Sequence, residues 1–211
     1  MSGLPEREPA RGSATQPPKQ AKPCTLEDQG DRVTASSIEL LGDPVLRTRA
    51  DEIVDFDGEL RTLVRDLWDT MEKRGGAGLA APQLGVGVRV FTYHCDGHAG
   101  HLVNPSLWLV DEQTQEGLEG CLSIPELDWE CRRYRNVMAR GWNMHGEPVE
   151  VSGSELLARC LQHETDHLNG VLFLDRLDER TREAALREIR AASWFDGTEP
   201  VVKQDPHSSF R

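Results

Sequence analysis

Leu60, Leu63, Val64, Leu67 and Met71 recur at spacings of three and four residues in "ELRTLVRDLWDTMEKR". That period places apolar side chains on one helical face, and Gly75-Gly76 marks where the helix stops. After "GGAGLAAPQLG" the pattern changes: Val86, Val88 and Val90 alternate in "VGVRVFTYHC", which predicts a half-buried strand. "HLVNPSLWLV" is another apolar segment, broken by Pro105. "RYRNVMARGWNMHGEPVEV" predicts two strands turning at His145-Gly146, a hairpin. Ser152 and Glu155 then have the spacing of a capping box, which predicts the start of a second helix, and Asn169-Gly170 ends it. "VLFLDRL" reads as short and buried. Asp178 is expected to cap a last helix whose apolar stripe, Leu186, Ile189 and Ser193, is narrow. Strands followed by a buried helix and a peripheral one predict an α+β fold. In it, antiparallel β-sheets pack around a central helix, the second, with one helix N-terminal and one C-terminal to it.

Composition sets the boundaries. Residues 1–35 are rich in Pro, Lys, Glu, Ser and Gly, lack aromatics and show no period, the signature of a disordered tail. Residues 196–211 look similar and are expected to be a flexible tail, which leaves one domain over 36–195. A formal net charge of −12 argues against nucleic-acid specificity and against anionic membrane surfaces. No apolar run reaches membrane-spanning length, and the N-terminus lacks the apolar core of a secretory signal. Five irregularly spaced cysteines suit free thiols in a reducing cytoplasm.

The chemistry concentrates in "LARCLQHETDHLNGVLF". His163 and His167, four apart on a helix, can reach one ion, and the neighbouring Glu164 can serve as a general base. Leu156, Leu157, Cys160 and Leu161 make the rest of that helix apolar, so the imidazoles are expected to be buried and in need of partners. A protein metal site normally has at least three protein ligands. Metalloproteases with this motif supply the third downstream. Here Phe173 stands where one group of them has a histidine, and Glu183 and Glu188 lie in a charge-rich helix that a solvated face explains. The upstream pool contains Cys95, Cys121, Cys131 and Cys160, with a few histidines and aspartates. Cys160 would put three ligands on one helical strip, a poor tetrahedral set. Cys121, in "EGLEGCLSIPE", has a setting that suits a held thiol, against the common alternative of a small buried hydrophobe.

Three segments, "GAGLAAPQ" (76–83), "EGCLS" (119–123) and "QHETDH" (162–167), resemble the signature motifs of peptide deformylases, in the family's order. The resemblance extends from about Ile38 to Asp178. It implies a metal-dependent hydrolase that removes the N-formyl group from the initiator methionine of nascent bacterial-type polypeptides. It implies Cys121, His163 and His167 as metal ligands and Glu164 as the catalytic acid/base. It also implies that Gln83, through its side chain, and Leu122, through its backbone N–H, donate to the formyl oxygen. Fe(II) is the ion the family suggests, while the donor set itself also accepts zinc or nickel.

Gly76, Ala77 and Gly78 expose backbone that suits strand-like pairing with an extended formyl-Met peptide, although a plain helix-ending turn has the same composition. Gly120, beside the ligand cysteine, is placed with them. Leu156 and Cys160, on the helix face of the ligands, are expected to wall a pocket for the methionine side chain. One departure from the family is visible. An arginine several residues after the ligand cysteine is replaced by Leu127-Asp128-Trp129, and Arg132 and Arg133 come later. Arg180, Arg182, Arg187 and Arg190 on the last helix suggest docking on the ribosome, with a solvated face as the competing account. A metal-dependent endopeptidase and a non-catalytic peptide-binding relative are the other two functions to weigh. The missing downstream ligand counts against the first, and the presence of Glu164, Gln83 and all three ligands against the second.

Overall fold

The computed structural model describes residues 37–198 and Lys203. The expected N-terminal tail therefore lies outside the described residues, as does most of the expected C-terminal one. Helix α1 spans Gly58–Arg74. The Asp57 carboxylate accepts from the Glu59 and Leu60 amides at its start, and Gly75, at φ 68°, ends it in the left-handed region that glycine tolerates. Leu60, Val64, Leu67 and Met71 are buried on the face the period predicts.

The strands follow as β1 (Gly78–Ala80), β2 (Val90–Cys95), β3 (His98–Leu109), β4 (Thr114–Gln115), β5 (Leu118–Cys121) and β6 (Ile124–Glu130). After them come β7 (Arg133–Tyr134), β8 (Asn136–Trp142) and β9 (Pro148–Ser154). A five-stranded antiparallel sheet has the order β1-β2-β3-β8-β9, and β5-β6 and β4-β7 form separate pairs. Helix α2 (Glu155–Leu168) packs across one face of the large sheet, and α1 covers β1 and β2 from the other. Helix α3 (Glu179–Ala191) packs against β6 through Ala185 and Ile189. The α+β architecture with a central helix is the one expected.

Local expectations fail where tertiary contacts override them. The strand expected from Val86 starts only at Val90, and Val86 is exposed. β2 is buried on both faces except at His94, because Val90 lies under α1 while Phe91, Tyr93 and Cys95 face α2. Pro105 does not break its segment. β3 runs through it on a bulge between Val103 and Ser106, with Asn104 at φ 48°. The predicted hairpin joins β8 to β9 with Gly146 at φ 78°.

The capping box is absent. Ser152 remains in β9 opposite Met138, and α2 begins at Glu155 behind Ser154, whose side chain makes no capping bond. Backbone contacts anchor the helix start instead. The Glu155 amide donates to Arg135 O at 3.0 Å, and Gln115 Nε2 donates to Glu155 O at 2.8 Å. Asp178 does cap α3, but Ser193 is exposed beyond its end, and Ala185 takes its place in the stripe with Ile189.

Leu67 is fully buried between α1 and the sheet edge that carries β1. Leu67→Ala is expected to cost about 2–5 kcal/mol of unfolding free energy. Urea denaturation checks this: the midpoint should fall with the slope unchanged.

Candidate metal centre

Two elements build the centre. α2 is buried along its whole length from Leu157 to Leu168, and it presents His163 and His167 one turn apart. β5 ends at Cys121, where its pairing with β6 slips register, so the thiol leaves the ladder and turns toward the helix. His167 Nε2 lies 3.3 Å from Cys121 Sγ and 3.2 Å from His163 Nε2. All three ligand atoms lie within 4.8 Å of one another, and among the described residues this is the group able to hold a metal ion. A tetrahedral ion with N and S bonds of about 2.1 and 2.3 Å separates its ligand atoms by roughly 3.4–3.6 Å. The donor set fits a divalent ion.

Burial alone would push the His163 imidazole down, but hydrogen bonds to Cys121 and Glu119 outweigh it and raise the group well above its ordinary value. At His167, burial and the neighbouring His163 push the imidazole the other way, well below its ordinary value. Glu119 Oε1 accepts from His163 Nδ1 at 2.8 Å, which leaves Nε2 turned toward Cys121 and His167. Burial pushes the Glu119 carboxyl up, yet Arg133 and His163 prevail and hold it well below the usual carboxylate range.

Sequence reasoning missed this supporting network. Arg133 donates through Nε and Nη2 to Glu119 at 3.0 and 2.5 Å, and through Nη1 to Asp166 at 2.6 Å. Arg176 closes the other side of Asp166 at 2.5 and 3.0 Å. Glu119, Arg133 and Asp166 are all buried. A charged side chain is almost never fully buried without a partner, so the two acids inside otherwise apolar or ligand-bearing motifs were the available signal. Glu119 and Asp166 stood inside the quoted motifs without a role.

Glu164 follows His163 on α2, with burial raising its carboxyl to about 7. Its Oε2 has no hydrogen-bond partner. Its side chain occupies the space above Gly78, where a Cβ would come within 2.3 Å of Oε1. Gly78 thus owes its identity to the carboxylate as much as to backbone exposure. Gly76 is tight as well, with an added Cβ 2.9 Å from Leu122 Cδ1.

A cavity of about 690 Å³ opens beside these groups. Gly76, Ala77, Gly78 and Gln83 line it on one side, and Gly120, Cys121 and Leu122 on another. From α2 come Leu156, Cys160, His163 and Glu164. The structure therefore brings every site residue expected from the sequence to one cavity except His167, which lies behind His163. Leu156 is 45% exposed, at odds with the expectation that it shares the buried apolar face, whereas Cys160 is buried with its thiol donating to Ala77 O at 3.3 Å. Gln83 is held from both ends. Its Oε1 accepts from the Ala80 amide at 2.9 Å, and its Nε2 reaches Ser123 Oγ at 3.3 Å and Cys121 Sγ at 3.5 Å.

The alternative ligands fall away. Phe173 stacks on the His163 ring at 6.1 Å, while Glu183 and Glu188 are exposed on α3. Burial pushes the Cys131 thiol up to about 12.

Comparison with known proteins decides the family. The family model described as polypeptide deformylase matches residues 35–183. The chain belongs to the polypeptide deformylase family. A peptide deformylase of Parafrankia sp. is 55% identical over 179 residues, covering 84% of this chain and 98% of that protein. One from Acidothermus cellulolyticus is 58% identical over 170 residues, covering 81% and 93%. The crystal structure of a peptide deformylase from Legionella pneumophila matches with a TM-score of 0.70 at 38% identity, over 75% of this chain and 95% of that one. That from Thermotoga maritima gives 0.67 at 39% identity, over 69% and 99%. Deformylases are metal-dependent hydrolases that remove the N-formyl group from newly made polypeptides, and this chain has the family's activity.

The contact between Gly78 and Glu164 yields a direct test. Gly78→Ala must displace the carboxylate, so formyl-peptide hydrolysis should fall by about 10²–10⁴-fold, while metal content measured by elemental analysis stays at the wild-type level.

Proposed function

We propose that Cys121, His163 and His167 hold one Fe(II) ion per chain, and that the surrounding residues hydrolyse the formamide bond of formyl-Met peptides. The observation that carries this reading is the convergence of one thiol and two imidazole nitrogens beside the unpartnered Glu164 carboxylate. When bound, the ion supplies a Lewis acid that activates water for attack on the formyl carbon. Glu164 then accepts the water's proton and passes it to the departing amine. Its burial supports this, because a carboxyl raised to about 7 can both take and give a proton near neutrality.

Gln83 Nε2 and the Leu122 N–H donate to the formyl oxygen as negative charge develops there. The clamp on Gln83 from Ala80 and Ser123 supports the side-chain half of this assignment, since a donor already held in place loses little entropy on binding. β1 is an edge strand of the large sheet, and the backbone leading into it, from Gly76 to Gly78, can pair with the peptide in strand fashion, with Gly120 opposite. Leu156 and Cys160 wall the methionine side chain. Neither Arg132 nor Arg133 supports a substrate contact. Arg132 is exposed near Glu116, and Arg133 is committed to Glu119 and Asp166.

Among the alternative ions, zinc and nickel suit the same donors, and iron is preferred by resemblance. We place the enzyme in the cytoplasm with formylated nascent chains. In keeping with that, no helix among the described residues is long and apolar enough to cross a membrane. Docking on the ribosome would use α3, where Arg180, Arg187 and Arg190 are exposed.

Anaerobically purified protein should contain about one iron per chain, cleave formyl-Met peptides and leave internal peptide bonds intact. Cleavage of internal bonds without deformylation would contradict the reading. Glu164→Gln should retain the metal and lose about 10²–10⁴-fold in kcat. Full turnover in that variant would remove Glu164 from the mechanism.

A further inference from the structure

Arg159 lies one helical turn before His163 on α2, lines the same cavity, and is buried. The family motifs assign it nothing. Its Nη1 donates to Glu119 Oε2 at 2.8 Å and to Cys131 O at 2.8 Å. Glu119 therefore bridges two residues four apart on one helix face, with Arg159 on Oε2 and His163 on Oε1. Arg133 spans both oxygens from the side. Each carboxylate oxygen thus receives two donors, and neither has an obvious lone pair left for another partner.

The Nη2 of Arg159 has no hydrogen-bond partner and lies over Gly117, where a Cβ would come within 3.1 Å of it. The cost of burying a guanidinium with one nitrogen unpaired is accepted here, and what it secures is the remaining contact to Glu119. His167 Nδ1 has no hydrogen-bond partner either, so carboxylate orientation of the ligand imidazoles passes through Glu119 and His163 alone.

We infer that Arg159 is a positioning residue for the metal centre: by occupying Glu119 Oε2 it holds Oε1 on His163 Nδ1 and so keeps His163 Nε2 aimed at the ion. The inference rests on the ion-binding reading given above. Without Arg159, Glu119 Oε2 would face the substrate cavity with a free lone pair, and water entering there would compete for the carboxylate. Arg133 still grips both oxygens through Nε and Nη2, but its Nη1 is committed to Asp166, so it cannot take the second position on Oε2 that Arg159 would vacate. Partners of this kind behind a ligand histidine typically change metal affinity by about 10–100-fold when removed.

The test uses the full chain stripped of metal, titrated with zinc against a competing chelator, and separately with cobalt(II) read by its visible absorption. Arg159→Met keeps the length and apolar stem but no donor, and Arg159→Lys restores one cation. The methionine variant should bind zinc about 10–100-fold more weakly and show displaced cobalt bands, with the lysine variant recovering part of both. A residue that only braced the fold would lower the unfolding midpoints of the metal-free and zinc-loaded forms equally. A positioning residue narrows the gap between them. Binding within about twofold of wild type together with an unchanged cobalt spectrum overturns the inference. If Arg159→Met does not fold, Gly117→Val, which crowds Nη2 without deleting a donor, takes its place. A loss of affinity there supports the inference, and wild-type affinity overturns it. Wild-type protein that takes up no zinc overturns the ion-binding reading and this inference with it.

Discussion

A carboxylate in a protein interior costs several kcal/mol unless cations and donors surround it, and Glu119 satisfies that demand in a way that organises the molecule. Arg133 comes to it from β7, and Arg159 and His163 come from α2. β5, which carries Glu119, is thereby tied to the helix that supplies both imidazoles. Cys121 lies two residues further along the same strand. Once Glu119 is clamped, the thiol has little freedom except to face His167. The geometry of the ligand set follows from the burial of one charge.

The same tie explains why the helix can be buried on all sides despite its polar sequence. From Gln162 to His167 every residue of α2 is buried, and none is an aliphatic hydrophobe. Gln162 is satisfied by Tyr134 and Ala158 backbone groups, His163 by Glu119, and Asp166 by two arginines. Glu164 Oε2, Thr165 Oγ1 and His167 Nδ1 have no hydrogen-bond partner, and of these three residues Glu164 is the acid, lying over a glycine that leaves it room. A buried acid spared from the network is the group available for proton transfer.

Much of this was legible in the chain. The period of α1 and its Gly75 stop placed that helix correctly, and the residues picked out by the H-E-x-x-H pair and the three motifs come together around one cavity. The errors share a physical origin. Ser152 and Glu155 have capping-box spacing, but Ser152 stays in a strand because β9 pairs with β8 through Ser154. β2 does not alternate, because helices cover both of its faces. Leu156 looked like core by residue type and is nearly half exposed at the cavity rim. Glu119, Arg133, Asp166 and Arg159 were hidden for a different reason. Local pattern carries no information about which charges meet across distant elements, and their pairing separates residues by up to 40 positions.

The claim on which all of this turns is that Cys121, His163 and His167 bind one ion together. X-ray absorption at the metal edge of the purified enzyme tests it most directly. The account predicts one sulfur scatterer at about 2.3 Å and two imidazole nitrogens at about 2.0–2.1 Å, with the sulfur lost in Cys121→Ala. A first shell without sulfur, or one unchanged by that substitution, would contradict it.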